Sequence, residues 1–186
     1  MARFFHSSDD ELPIGTVLEG RFGVVDRQPE IYAMLKFAYS SGPDALRLLE
    51  SNIRQAHPDY DDWLPTYIRE TIFEAVRADQ FPDRPERLGG IFLWPTLEDL
   101  DRYNSLVPKG QPPHRSNVYS CDAEGATSPP LDLSLIRRTI LRAPISNQIS
   151  SQISLAVDYW RGRQDQGIWE VITHGKVTVV DVVSLK

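Results

Sequence analysis

Gly167-Ile168-Trp169-Glu170-Val171-Ile172-Thr173-His174-Gly175-Lys176 runs straight into a second apolar stretch, Val177-Thr178-Val179-Val180-Asp181-Val182-Val183. The β-branched and aromatic residues on either side of Thr173–Lys176 predict two strands, 168–172 and 177–183, joined by a short turn. Glu170 lies inside the first strand, among residues that belong in a core. A carboxylate there costs several kcal/mol unless it is paired or faces a polar cleft. Glu170 is therefore either a surface group at a strand end or a working group held by a rigid sheet.

Upstream of this pair, Ile149, Ile153, Ala156 and Trp160 recur at helical spacing and predict an amphipathic helix ending near Gly162. Three helices are expected over about 30–80. Ile31, Met34, Leu35 and Ala38 share one face, and Ser40-Ser41-Gly42-Pro43 breaks the chain after it. Leu46, Leu49 and Ile53 mark the second helix. Leu64, Ile68, Ile72 and Val76 mark the third, with Asp61 or Asp62 as its cap.

Strands are expected at 3–6, 91–94 and 118–121, and a Gly-punctuated extended segment at 14–25. Thr96-Leu97-Glu98-Asp99 has the form of a capping box with Asp in place of Glu, opening a helix that carries Tyr103. Residues 131–141 are expected to be helical. Strands and helices do not alternate regularly, which argues against a doubly wound parallel sheet. The pattern predicts an α+β domain with helices on a mainly antiparallel sheet.

Size and composition narrow the function. A chain of 186 residues is long enough for one domain with a full core, and 41% hydrophobic with 25% charged residues is ordinary for a globular chain. A net charge of −6 gives no whole-molecule attraction to nucleic-acid phosphates, although a local basic groove stays compatible with it. The single cysteine, Cys121, excludes an intrachain disulfide and a cysteine metal cluster. His6, His57, His114 and His174 show no metal-ligand spacing, so no metal is expected. No apolar run is long enough to span a bilayer. The N-terminus lacks the apolar region of a signal peptide, and the expected location is the cytoplasm, of the producing cell or of a host or target cell.

Three stretches carry a further pattern in chain order. The first is Phe4-Phe5-His6-Ser7-Ser8, a histidine closing the first strand. The second is Gly90-Ile91-Phe92-Leu93-Trp94-Pro95-Thr96-Leu97-Glu98-Asp99-Leu100-Asp101-Arg102-Tyr103, a strand and a capped helix presenting a tyrosine. The third is Ile168-Trp169-Glu170-Val171-Ile172. Together they resemble the His-Tyr-Glu branch of the ADP-ribosyltransferases, that of diphtheria toxin and the poly(ADP-ribose) polymerases. A second resemblance is to bacterial and phage members of that superfamily. In those, a helix with Glu-x-Val-Arg is followed by Phe-Pro and a Pro-Ser-Arg-Leu-like turn. Here these read Phe73-Glu74-Ala75-Val76-Arg77, Phe81-Pro82 and Pro85-Glu86-Arg87-Leu88.

The resemblance implies a split β-sandwich with a helical insertion between the first and middle strands, and NAD as substrate. It assigns His6 to a ribose hydroxyl, Tyr103 to stacking on nicotinamide, and Glu170 to the 2′-hydroxyl beside the bond that breaks. Ser7 stands where relatives often have Gly, whose backbone clamps the nicotinamide amide; the clamp survives if φ there is negative. Arg84 and Arg87 are candidates for the pyrophosphate, because the guanidinium fork suits phosphate. A loop-stabilising pair with Asp83 or Glu86 is the structural alternative.

Arginine-modifying relatives carry Glu or Gln two residues before the catalytic Glu; Ile168 argues against that subclass. The implied activity is mono-ADP-ribosyl transfer, of the toxin or effector kind, to a macromolecular acceptor, protein or nucleic acid. Two rivals remain. One is a non-catalytic module binding a nucleotide or a protein. The other is an RNA 2′-phosphotransferase-like enzyme, for which Arg84, Arg87, His114 and Arg115 are the available phosphate-holding groups.

Overall fold

The computed structural model describes residues 2–20, 29–57, 60–105, 117–125, 127–137, 148–162 and 167–183, with side chains left out at 60–63. The chain divides into two compact units. One comprises Met1–Arg21, Gly89–Leu133 and Gly162–Lys186; the other comprises Phe22–Leu88 and Ser134–Arg161. The helical segment expected over about 30–80 is thus joined by residues 134–161.

The first unit holds seven strands among the described residues: β1 Ala2–Ser8, β2 Val17–Leu18, β3 Ile91–Leu93, β4 Asn117–Ala123, β5 Leu131–Asp132, β6 Trp169–Thr173 and β7 Val177–Val183. They form a four-stranded sheet in the order β1-β4-β7-β2 and a three-stranded sheet in the order β3-β6-β5, every ladder antiparallel. The expected α+β class with antiparallel sheets is what the molecule has.

Side chains alternate across a strand, so Ile91 and Leu93 of β3 and Val171 of β6 point to one face. There they share a core with Tyr119, Cys121 and Ala123 of β4 and Val177 and Val179 of β7. The turn between β6 and β7 carries the chain from one sheet to the other. Gly175 is required in it, since a Cβ there would fall 1.8 Å from the Glu124 carbonyl oxygen. The β4–β7 register shifts between Ser120 and Cys121. Cys121 itself is buried, and burial, with Asp122 adding to it, pushes its thiol up to about 12.

Two expectations change here. The extended segment reduces, among described residues, to a turn at 14–15 and the two residues of β2. Leu131 and Asp132 form a strand against β6, and only Leu133–Arg137 is helical, because pairing with Trp169 and Glu170 overrides the helical pattern. Residues 138–141 lie outside the described set.

The second unit contains helices α1 Pro29–Ser41, α2 Pro43–Ala56, α3 Tyr60–Gln80 and, late in the chain, α6 Ile149–Arg161; α4 Leu97–Ser105 belongs to the two-sheet unit and α5 Leu133–Arg137 straddles the boundary. Leu35, Leu46, Ile53, Leu64, Ile68 and Ile72 pack into one core, with Ile149 and Ile153 of α6 against it. Burying one such side chain contributes about 1.5–3 kcal/mol, so the 3.6-residue spacing of these residues is what holds the helices together. The break between α1 and α2 falls at Gly42, whose φ of 108° few other residues adopt, followed by Pro43 in the first turn. Helix α3 starts at Tyr60, ahead of Asp61 and Asp62, so neither aspartate is its cap. The Trp160 indole N–H donates to the Phe73 carbonyl at 2.8 Å, tying α6 to α3.

Candidate functional site

His6, Tyr103 and Glu170 all belong to the two-sheet unit, each on a different element. His6 is on β1, an edge strand of the larger sheet. Its ring Nδ1 lies 3.2 Å from the Phe92 carbonyl oxygen on β3. A carbonyl only accepts, so Nδ1 carries the proton of this bond.

Next to it, Phe5 and Trp94 exchange both backbone hydrogen bonds, N–H to O at 2.9 and 2.8 Å. The backbone groups of a strand alternate between its two edges, so those of Ser7 point off the same edge as those of Phe5. No non-glycine residue among those described has a positive φ. Ser7 therefore meets the backbone condition for an amide clamp.

Trp94 joins two of the three expected positions, and the sequence pattern assigned it no role. Its backbone holds Phe5 beside His6. Its ring lies against Tyr103, with centroids 4.7 Å apart and planes inclined by 41°. The β3–β6 register runs Phe92↔Ile172 and Leu93↔Val171 and ends there, one residue short of Trp94, which follows β3, and of Glu170 on β6.

Glu170 is 4% exposed and pairs on its other side with Leu131 of β5. Its face of β6 is opposite to that of Val171, away from the core between the sheets. The surface-end reading of Glu170 is therefore excluded. It is an interior group on a strand held on both flanks.

Helix α4 is capped as the sequence predicts. The Asp99 backbone N–H donates to Thr96 Oγ1 at 3.1 Å. The Asp99 side chain departs from a capping box, because its carboxylate accepts the Thr96 hydroxyl at 2.5 Å and the Trp169 backbone N–H at 3.2 Å. Asp99 is 4% exposed.

A cleft of about 390 Å³ opens at His6, and its walls include Asp9, Asp10, Glu19, Gly90 and Phe92. That volume falls in the range of small-molecule sites, about 300–1,000 Å³. The wall at Asp10–Leu12 is fixed by Tyr119, whose hydroxyl accepts from the Leu12 N–H at 2.8 Å and donates to the Asp10 carbonyl at 3.2 Å. Gly20 and Gly89 make a close backbone approach beside Gly90, where a Cβ on Gly20 would lie 1.9 Å from the Gly89 oxygen. Three carboxylates at this wall disfavour a phosphate and suit a cation.

Arg87 is not part of this arrangement. In the helical unit it is 5% exposed; its Nε donates to Glu70 Oε2 at 2.9 Å and its NH1 donates to the Tyr159 hydroxyl. Its guanidinium also lies 5.1 Å from the centre of the Tyr159 ring. A guanidinium committed to a buried carboxylate is no pyrophosphate anchor, and the partner that holds it is Glu70. Burial pushes the Glu70 carboxyl up, but Arg87 and Arg69 outweigh it and hold Glu70 below its ordinary value.

The Glu-x-Val-Arg motif has an equally structural role. Arg77 pairs with Glu74 at 2.7 Å and donates from NH1 to the carbonyls of Pro82 and Arg84. It staples the 81–87 loop to α3. His114 and Arg115 lie outside the described residues.

The fold and site define an α+β protein in which one antiparallel sheet carries a histidine, a second carries a buried glutamate, and a helix of the same unit carries a tyrosine. By sequence the chain belongs to a family described as a protein of unknown function (DUF2441), whose model matches residues 28–184. The match contains Tyr103 and Glu170; His6 precedes it. No curated protein matches the chain. Among the described residues, no group of three or more His, Cys, Asp or Glu forms a metal site, and no helix is long and apolar enough to cross a membrane.

Proposed function

We propose that the chain is an NAD-dependent mono-ADP-ribosyltransferase built on a split β-sandwich, with Glu170 as its catalytic carboxylate. The observation that carries this reading is at Trp94, which is bridged to the strand of His6 and lies against the ring of Tyr103, while β3, the strand just before it, pairs with the strand of Glu170.

In the reaction the C1′–N bond to nicotinamide breaks, and the bonding pair leaves with the ring nitrogen, neutralising the pyridinium. C1′ becomes oxocarbenium-like, and a nucleophilic atom of the acceptor attacks it and loses its proton to the medium. Glu170, buried and paired with Leu131 on a strand that β3 and β5 flank, stabilises the positive charge growing at C1′ through the adjacent 2′-hydroxyl. Such stabilisation is strongest where water is excluded and the group is already in place.

His6, its ring oriented by the Nδ1 bond to Phe92, hydrogen-bonds a ribose hydroxyl. Tyr103, backed by Trp94, offers an aromatic surface for the nicotinamide ring. Ser7 supplies the backbone groups for the carboxamide. Asp9, Asp10 and Glu19 suit the cationic ring better than the pyrophosphate, so the phosphates face solvent or cations other than Arg87.

The near-complete burial of Glu170 favours one second reading, a non-catalytic binding module in which this carboxylate is structural. Purified protein incubated with NAD, with released nicotinamide measured and a tagged NAD analogue added to cell lysate, tests the first. Turnover in the wild type and its loss in Glu170→Gln with NAD affinity retained is the expected result. Absence of NAD binding, nicotinamide release and labelling would overturn it in favour of the module.

A further inference from the structure

Asp99 does more than a helix cap needs. Thr96 alone caps α4, through its Oγ1 and the Asp99 N–H. The Asp99 carboxylate is turned instead between two donors, the Thr96 hydroxyl and the Trp169 backbone N–H. The position of that N–H explains why. The Ile168 carbonyl accepts from the Leu133 N–H on the β5 side, so the Trp169 N–H faces the other side of β6, where β3 runs. There β3 has already ended at Leu93. Asp99 Oδ1 therefore stands where the next residue of the ladder would have supplied a carbonyl.

The consequence concerns distance. Asp99 and Tyr103 are four residues apart on α4 and so lie on one helix face, a turn from each other. Trp169 immediately precedes Glu170. One buried carboxylate thus fixes both the helix that presents the tyrosine and the strand residue next to the glutamate.

We propose that Asp99 is a positioning residue that sets the spacing between Tyr103 and Glu170. This rests on the NAD-transferase reading of the site. A carboxylate displaced by about 1 Å costs on the order of 100-fold in rate while leaving binding contacts largely intact. The signature of a positioning role is consequently a loss in kcat with little change in KM.

The test measures nicotinamide release from NAD by wild type, Asp99→Ala, Asp99→Asn and Thr96→Ala, with backbone amide exchange of Trp169 followed in ¹⁵N-labelled protein. Asp99→Ala should lower kcat at least about 10-fold, keep the KM for NAD within about threefold, and speed exchange at Trp169. Asp99→Asn keeps an oxygen for the Trp169 N–H and an amide donor for Thr96 Oγ1, and should recover most of kcat and the slow exchange. Ile72→Val, in the helical unit, lowers stability and should leave kcat unchanged, separating positioning from general weakening.

Should Asp99→Ala not fold, Thr96→Ala removes the hydroxyl that orients the Asp99 carboxylate toward Trp169 and should show the same kcat loss in smaller degree. A wild-type enzyme without NAD turnover overturns the transferase reading and this inference together. An active wild type with kcat within twofold in Asp99→Ala, or in Thr96→Ala where the former is unfolded, overturns this inference alone. So does an Asp99→Asn variant that restores slow Trp169 exchange without restoring kcat.

Discussion

In the helical unit Glu70 meets Arg87 at 2.9 Å with both side chains buried, a negative charge closed on a positive one. In the two-sheet unit the buried carboxylate of Asp99 meets a hydroxyl and a backbone amide, neutral donors at the ends of α4 and β6. The first arrangement cancels charge and fastens a loop to helices. The second spends its hydrogen bonds on geometry, next to the strand that carries Glu170. Similar burial therefore means different things: a carboxylate closed on a cation works for stability, and one held by neutral donors at element ends can work for position.

The sharpest way to break this comparison is at Glu170. Gln is close in size and keeps a hydrogen-bonding oxygen, so Glu170→Gln should fold like the wild type while nicotinamide release falls by roughly 10³-fold. Equal turnover with altered stability would make Glu170 the same kind of group as Glu70.

Removing one partner of a buried pair leaves the other uncompensated. Arg87→Ala should accordingly cost about 3 kcal/mol in urea unfolding. A weakened affinity for NAD at unchanged stability would instead return Arg87 to the phosphate-binding role.

The same pair sets an acid limb. Glu70 is held below its ordinary value in the folded protein, so its contribution is present above the unfolded carboxylate pKa and lost as pH falls through the folded one. Unfolding free energy measured against pH should drop more steeply below about pH 4.3 in the wild type than in Glu70→Gln. Parallel profiles would show that the pair does not govern acid stability.

The smallest effect is expected at Trp160→Phe, which removes the N–H that satisfies the Phe73 carbonyl and should cost about 1–2 kcal/mol by thermal or urea unfolding. A null result would mean that packing alone joins α6 to α3.

What was legible in the sequence divides along the same line. The helices were readable because their apolar residues recur locally: Leu64, Ile68, Ile72 and Val76 are buried as their spacing predicts. The two last strands and the cap at Thr96 were readable for the same reason. Partition of the strands into two sheets was not, since β1 pairs with β4 more than a hundred residues away and no local pattern specifies that.

Leu131–Asp132 was misread because two residues are too few to show a period of two, and their strand character comes entirely from Trp169 and Glu170. Arg87 is a phosphate candidate in the sequence because a guanidinium fork suits phosphate, while the partners that commit it are 17 and 72 residues distant. Asp99 was visible as part of a cap, and its second duty depends on an amide 70 residues on. Trp94 carried a signal of its own, an aromatic residue at the strand end just before a capped helix.

Cys121, at the shifted register of β4 and β7, gives the molecule a clock. It is the chain's one thiol, it is buried between the two sheets, and its high pKa keeps it protonated and slow to react. A thiol reagent can modify it only when those sheets part, so the labelling rate reports opening of the site-bearing unit while the helical unit stays silent. Ligand that fastens the sheets would slow that clock, making occupancy of the cleft readable with no assay for the chemistry and no knowledge of the acceptor.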